Sequence, residues 1–288
     1  MTSVPKVIDV ELALQEKIPD IYKKIPGVLI RLMEKVIRQD DMNRMIHESS
    51  HLNGIPLVDW VLDQFGVNIV VKGKKLIPKK GRYIYPANHP IGSLDGLAIV
   101  SVVAKIHPLI KFVANDLLRV IKGFDSISLY IARFGQINRQ NAILINKTLA
   151  SEAQLLVQPA GTVSKRNPVK ISDLAWNKFF IHKAIQYKRD VIPVHVQARN
   201  SRLFYNIASF RKIFRIKANL EMFLLPREMF NKSGKTITIT FGIPIAYKTF
   251  DDSLTHLEWA QKVREYVYVL GSEKFSSANT IPAFSEVL

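Results

Sequence analysis

From Val67 to about residue 250, short β-branched runs alternate with amphipathic stretches, and that alternation limits the possible folds more than any other feature of the chain. The runs are Val67–Val71, Tyr83–Ala87, Lys111–Ala114, Gln154–Pro159, Val191–Val196 and Thr236–Phe241, and Asp173 to Lys188 is the clearest helical stretch between them. Strands joined through helix-length segments pair in parallel, because a parallel connection must cross back over the sheet. The expected fold class is α/β, a mixed, largely parallel sheet flanked by helices. Before Val67 the texture is helical: Ile21, Ile25, Val28, Leu29, Leu32 and Val36 recur at helical spacing, Gly54-Ile55-Pro56 breaks the pattern, and a short helix covers Val58 to Phe65. Thr255 to Leu270 reads as a closing helix. The organisation expected is a helical N-terminal extension over 1–66, one α/β domain over 67–250, and a C-terminal helix and tail over 251–288. With 288 residues, 48% of them hydrophobic, the chain can fill such a core.

The chemistry concentrates in Asn88-His89-Pro90-Ile91-Gly92-Ser93-Leu94-Asp95-Gly96. The apolar run before it, Tyr83-Ile84-Tyr85-Pro86-Ala87, reads as a buried strand, and Ser93-Leu94-Asp95-Gly96 as the first turn of a helix. A carboxylate at a helix start is favoured by the dipole and can accept an imidazole N–H, leaving the other ring nitrogen free to take a proton. The chain has no cysteine and no G-x-S-x-G elbow, which excludes disulfides, thiolate chemistry, Cys-ligated zinc and the hydrolase nucleophile turn. What remains is general-base activation of a bound acceptor without a covalent enzyme intermediate. Taken alone, a His and an Asp six positions apart equally suit a structural pair. Their company downstream points to a site: Gly135-Gln136-Ile137-Asn138-Arg139, then the glycine turn Gln158-Pro159-Ala160-Gly161-Thr162-Val163-Ser164-Lys165-Arg166, then the strand end Val191–Val196. In an open α/β sheet, loops at the carboxyl ends of strands converge on the ligand. Basic loops there, in a chain of formal net charge +17, suit an acceptor or donor that carries phosphate.

These four blocks, in this order and at this spacing over roughly Val67 to Ile245, resemble the glycerolipid (PlsC-type) acyltransferase superfamily, in particular bacterial lysophospholipid and glycerol acyltransferases with an N-H-P-x-G-x-x-D-G block. The resemblance implies transfer of a fatty acyl group from acyl-CoA or acyl carrier protein to a lysophospholipid, glycerol-phosphate or amino-acid-lipid acceptor in membrane lipid biosynthesis, without a cofactor. On matching positions it makes His89 the base and Asp95 its partner. It places Asn88, Gly92, Arg139, Gly161, Thr162, Lys165 and Arg166 at the substrate: Arg139 on the acceptor's anionic group, Gly161 and Thr162 shaping the turn, Lys165 or Arg166 as the third-block cation. Three departures matter. Five residues rather than the family's four separate His89 from Asp95, so the turn must bulge, and Gly92 is the natural place. The third-block Glu is Ala160, and Val163 stands where that block has Arg, so lysophosphatidic acid does not follow as the acceptor.

Two other function classes compete. His47-Glu48-Ser49-Ser50-His51 matches the H-E-x-x-H zinc motif, but Leu57 stands where its extended form needs a third His, and the polar stretch ending at Gly54 is a poor buried helix. The plain reading is an exposed helix end. Nucleic acid is the partner that the cluster Lys72, Lys74, Lys75, Lys79, Lys80 and Arg82 would suit, yet no recognition motif accompanies it. A membrane surface rich in anionic lipid fits better. On a helix, Leu203, Ile207, Phe210 and Phe214 form one stripe flanked by Arg211, Lys212 and Arg215, which suits an interfacial helix and equally suits a surface helix packing that stripe on the sheet. The start of the chain carries Asp9 and Glu11 and no signal-peptide core, and apolar runs such as Leu97–Ala104 fall far short of the roughly 20 residues that span a bilayer. The expected location is therefore peripheral, at the cytoplasmic face of an inner membrane.

Overall fold

A computed structural model describes residues 6–131, 139–167, 170–214, 220–272 and 281–287. Helices α1 (Val10–Lys17), α2 (Pro19–Tyr22), α3 (Gly27–Ile37), α4 (Gln39–Glu48) and α5 (Ile55–Gln64) lead into the α/β region. There follow β1 (Asn68–Lys72), β2 (Tyr83–Pro86), α6 (Leu94–Ala104), β3 (Ile110–Asn115), β4 (Ser128–Ile131), α7 (Arg139–Ala150) and β5 (Gln154–Val157). The chain continues through β6 (Lys165–Arg166), β7 (Ile171–Ser172), α8 (Phe179–Tyr187), β8 (Asp190–Val191), β9 (Val194–Gln197), α9 (Arg202–Ile213), α10 (Leu225–Phe230), β10 (Thr236–Phe241) and α11 (His256–Leu270). The α/β class expected from the alternation is the class observed.

The central sheet has five strands in the order β4-β3-β5-β2-β8, every pair parallel. Parallel sheets are covered on both faces, and side chains that alternate along a strand divide between the two covers. Tyr83 and Tyr85 of β2 join the core beneath α5 and α6, whereas Ile84 joins the core formed with α7, α8 and α11. A second sheet, β1-β10-β9, pairs β1 with β10 in parallel and β10 with β9 antiparallel. The run Val191–Val196 thus divides into β8 and β9, one in each sheet, with the break at Ile192-Pro193. Proline has no N–H for a ladder, so the chain changes sheets there. Asn88 fastens the junction: its amide accepts from the Val196 N–H at 2.6 Å and donates to the Val196 carbonyl at 2.9 Å.

Helix α6 is buried along its whole length, which accounts for the apolar run Leu97–Ala104. A helix apolar on every side needs cover on every side; the sheet supplies one side and α5, through Leu57, Val58 and Leu62, another. Helix α11 buries Trp259, Val263, Tyr266, Val267 and Leu270 in the opposite core, beginning at a capping box between Thr255 and Glu258. A third, smaller core joins Val163 of the glycine turn to Phe204 and Tyr205 of α9, to Leu224, and to Val36 of α3.

Candidate active site

All five strands of the central sheet end at one edge, and the turns leaving β2 and β5 lie side by side there because those strands are neighbours. The β2 turn carries His89. Its geometry is set by Asp95, in the first turn of α6 and fully buried. One Asp95 oxygen accepts from the N–H groups of Ile91 at 3.1 Å and Gly92 at 3.4 Å, and contacts His89 Nδ1 at 3.1 Å. The other accepts from the Gly96 N–H at 2.8 Å. The additional residue between His89 and Asp95 is accommodated at Gly92, whose φ of +95° lies in the region that favours glycine. A side chain at Gly92 would also meet Val163 and Leu225 at 2.9 Å, so the turn is packed closely against the glycine turn and α10.

Burial alone would push both pKa values the wrong way for an ion pair. For His89 burial lowers the pKa, but the charge and hydrogen bond of Asp95, then the charge of Asp173, more than offset it, and the imidazole stands above its ordinary value. For Asp95 burial raises the pKa, while His89 and the N–H groups of Ile91 and Gly96 bring the carboxyl below its ordinary value. With Nδ1–H directed at Asp95, Nε2 carries the lone pair, and the side chain keeps 16% exposure. That nitrogen is chemically able to accept a proton.

The glycine turn reaches His89. Gly161 has φ +65° with open space around it, and three residues on the Ser164 N–H donates to the His89 carbonyl at 2.8 Å. Thr162 and Lys165 line a crevice with Phe204, Tyr205 and Met222. Arg166 donates to Asn206 of α9 at 3.0 Å, which ties the strand after the turn to that helix. Asn88, expected at the substrate, is buried with its amide engaged by Val196, so it holds the sheet junction beneath His89. Arg139 is exposed at the start of α7, beyond β4, and Gly135 to Asn138 lie outside the described residues. Strand β4 is three steps from β2, or about 14 Å at the usual strand spacing.

Sequence reasoning missed Asp173, which accepts from the His89 N–H at 3.2 Å and the Ser164 hydroxyl at 2.6 Å. An Asp heading an amphipathic stretch reads as a helix cap, but α8 begins only at Phe179. The signal available was a lone carboxylate in the apolar segment Ile171-Ser172-Asp173-Leu174-Ala175-Trp176. The H-E-x-x-H segment does not form a zinc helix: α4 stops at Glu48, and His51 lies in the exposed turn beyond it.

Residues 12–277 match the profile of the family described as Acyltransferase. The chain is 37% identical over 265 residues to the lyso-glycine lipid O-acyltransferase of Bacteroides thetaiotaomicron, which covers 92% of this chain and 97% of that protein. It is 33% identical to the lyso-glycine lipid O-acyltransferase of Phocaeicola vulgatus, over 92% of this chain and 95% of the relative. Among solved structures it is similar to PlsC, the 1-acyl-sn-glycerophosphate acyltransferase of Thermotoga maritima, at 17% identity and a TM-score of 0.45, covering 77% of this chain and 80% of that one.

Proposed function

This chain belongs to the acyltransferase family, and on that premise we propose that it esterifies the free hydroxyl of a lyso-glycine lipid with a fatty acyl group from an acyl thioester, acyl-CoA or acyl carrier protein. The observation that carries the mechanism is the buried His89–Asp95 pair at 3.1 Å, at the strand-end edge of the parallel sheet. Nε2 of His89 takes the acceptor's hydroxyl proton as the oxygen attacks the thioester carbonyl, and Asp95 stabilises the imidazolium that forms. Collapse of the tetrahedral adduct breaks the C–S bond, and the same proton passes from His89 to the departing thiolate. The products are an ester and a thiol.

Two features favour an amino-acid lipid over lysophosphatidic acid: the names of both relatives, and Ala160 in place of the third-block Glu. A glycine lipid acylated on nitrogen presents a carboxylate, which Arg139 or Lys165 would attract. Purified protein given an acyl thioester and either acceptor tests the assignment by mass spectrometry of the products. The expected preference in kcat/KM for the lyso-glycine lipid is about tenfold or more, equivalent to ~1.4 kcal/mol. A preference for lysophosphatidic acid overturns it.

Such substrates reside in a bilayer, and no helix among the described residues is long and apolar enough to cross one. We propose docking from the surface onto anionic lipid. Helix α9 contributes to that surface through its stripe, of which Ile207 turns inward. Phe204, Tyr205 and Ile207 pack inward on Val163, and Leu203, Phe210, Ile213 and Phe214 are exposed. Arg211 also turns inward, bonded to Glu221 through both Nε at 2.8 Å and Nη2 at 3.0 Å; Arg215 lies outside the described residues. The cations beside lipid come instead from the N-terminal helices. Helix α3, which packs on α10 and on the Leu220–Leu224 turn beside α9, exposes Val28, Leu29 and Leu32 together with Arg31 and Lys35, and Lys23 and Lys24 precede it. Each cation near an anionic surface contributes about 1 kcal/mol, and a buried apolar side chain about 1.5–3 kcal/mol. The triple change Leu32→Glu, Phe210→Glu, Phe214→Glu is expected to release the protein from anionic vesicles in co-sedimentation while circular dichroism stays unchanged, since all three positions are exposed. Normal binding by the folded triple variant overturns this surface.

A further inference from the structure

We infer that Asp173 is a positioning residue for acyl transfer, joining the glycine turn to the backbone of His89 and adding a second negative charge behind the base. The inference rests on the reading of His89 as the base. Asp173 is buried, on the segment after β7. One of its oxygens accepts from the His89 N–H at 3.2 Å and from the Ser164 hydroxyl at 2.6 Å. The other accepts from Trp176 Nε1 at 2.9 Å. Since the Ser164 N–H donates to the His89 carbonyl at 2.8 Å, the pair Ser164 and Asp173 holds both backbone polar groups of His89 in one closed ring. From behind, α11 secures Asp173 itself. Its N–H donates to the Tyr268 hydroxyl at 2.7 Å, and its carbonyl accepts from Arg264 Nη2 at 2.6 Å.

A carboxylate with so little exposure carries a desolvation cost that neutral donors offset only in part. Binding the His89 N–H and the Ser164 hydroxyl requires an acceptor oxygen and no charge, so an amide would serve those two bonds. The second oxygen is needed for Trp176, and that is the structural account of the residue. The electrostatic account is different. When His89 takes the acceptor's proton its ring becomes cationic, and the negative charge of Asp173 favours that form alongside Asp95. The charged and titratable groups around the ring are Asp95 on α6, Asp173, and Arg264 and Tyr268 on α11, with His195 and Lys170 against the Tyr268 ring.

The two accounts separate in the pH profile of kcat/KM. The double change Asp173→Asn, Trp176→Phe removes the charge together with the donor that needs the second oxygen, leaving an acceptor for His89 and Ser164. Its acid limb is expected to move to lower pH by about half a unit or more, while Trp176→Phe alone leaves the limb in place and Asp173→Glu, which keeps the charge, restores it. An unmoved limb in the folded double variant, with His89→Ala inactive, makes Asp173 structural and overturns the inference. Turnover in His89→Ala at the wild-type level refutes the base itself, a distinct outcome. Should the double variant fail to fold, Ser164→Ala opens the same ring without touching the charge; Tm falls because a buried carboxylate loses a donor, kcat measured well below that Tm is expected to drop several-fold, and wild-type kcat there overturns the inference.

Discussion

Replacing His89 with alanine lowers acyl transfer by about 10²–10⁴-fold, the usual contribution of a general base, and leaves the fold intact. In the proposed mechanism the loss falls on kcat at saturating acceptor, since Nε2 acts there on the reacting hydroxyl. Asp95→Asn is also severe. An amide neither balances the imidazolium nor accepts from Nδ1–H and from the Ile91, Gly92 and Gly96 N–H groups with a carboxylate's strength. The pH dependence carries a definite sign. The active form has neutral His89, whose pKa is raised by its net interactions with Asp95 and Asp173 against burial, so activity falls as pH drops through a value above the ordinary imidazole range. Removing the Asp95 charge moves that limb to lower pH as it lowers the plateau. Initial rates in His89→Ala within a few-fold of wild type at saturation would remove His89 from the mechanism.

Arg189→Met is expected to cost about 3–5 kcal/mol of folding stability, since buried carbonyls that lose a donor cost about 1–3 kcal/mol each, offset in part by removal of the buried cation's desolvation cost. Arg189 is fully buried. Its guanidinium donates to the carbonyls of Leu149 at 3.0 Å, Ala153 at 2.7 Å, Thr148 at 3.3 Å and Ser151 at 2.5 Å. Those carbonyls lie in the last turn of α7 and just beyond it, where helix carbonyls lack intrahelical donors, and a cation there also meets the negative end of the helix dipole. Burial pulls its pKa down to about 10, which leaves it charged at neutral pH. The methionine fills much of the space but donates to none of the four carbonyls. Tm should fall by roughly 8–15 °C. Arg189 precedes β8, at the edge of the sheet opposite His89, so kcat well below the transition should stay near wild type. Denaturant unfolding that shows a loss under about 1 kcal/mol would contradict this account.

The features legible in the sequence were those with a local cause. Period-two and helical spacing are written into neighbouring residues, which is why the six β-branched runs all form strands and Thr255–Leu270 forms a helix. The pairing of His89 with Asp95 was legible for the same reason: a strand, a glycine that permits the bulge, and a helix start place the two groups within one turn. Strand β4, Ser128–Ile131, reads only as a short β-like segment ahead of Gly135, with a single β-branched residue to mark it. The small ladder β6–β7 offers two residues a side, too few for any periodicity.

Long-range contacts decided the rest. Leu203, Ile207, Phe210 and Phe214 do share a stripe, but α9 also carries Phe204, Tyr205, Ala208 and Ile213, so apolar residues surround it and spacing alone leaves its rotation undetermined. The Arg211–Glu221 pair and the packing of Phe204 and Tyr205 against Val163 choose the rotation. Asn88 stands next to the base in sequence and reads as a substrate contact, yet its amide belongs to Val196, 108 positions away. Asp173 reaches His89 across 84 positions. Local spacing can bring His89 and Asp95 together because the chain between them is short. It cannot show which distant donors and acceptors will satisfy a buried polar group, since that depends on which segments the folded sheet and its covering helices bring together.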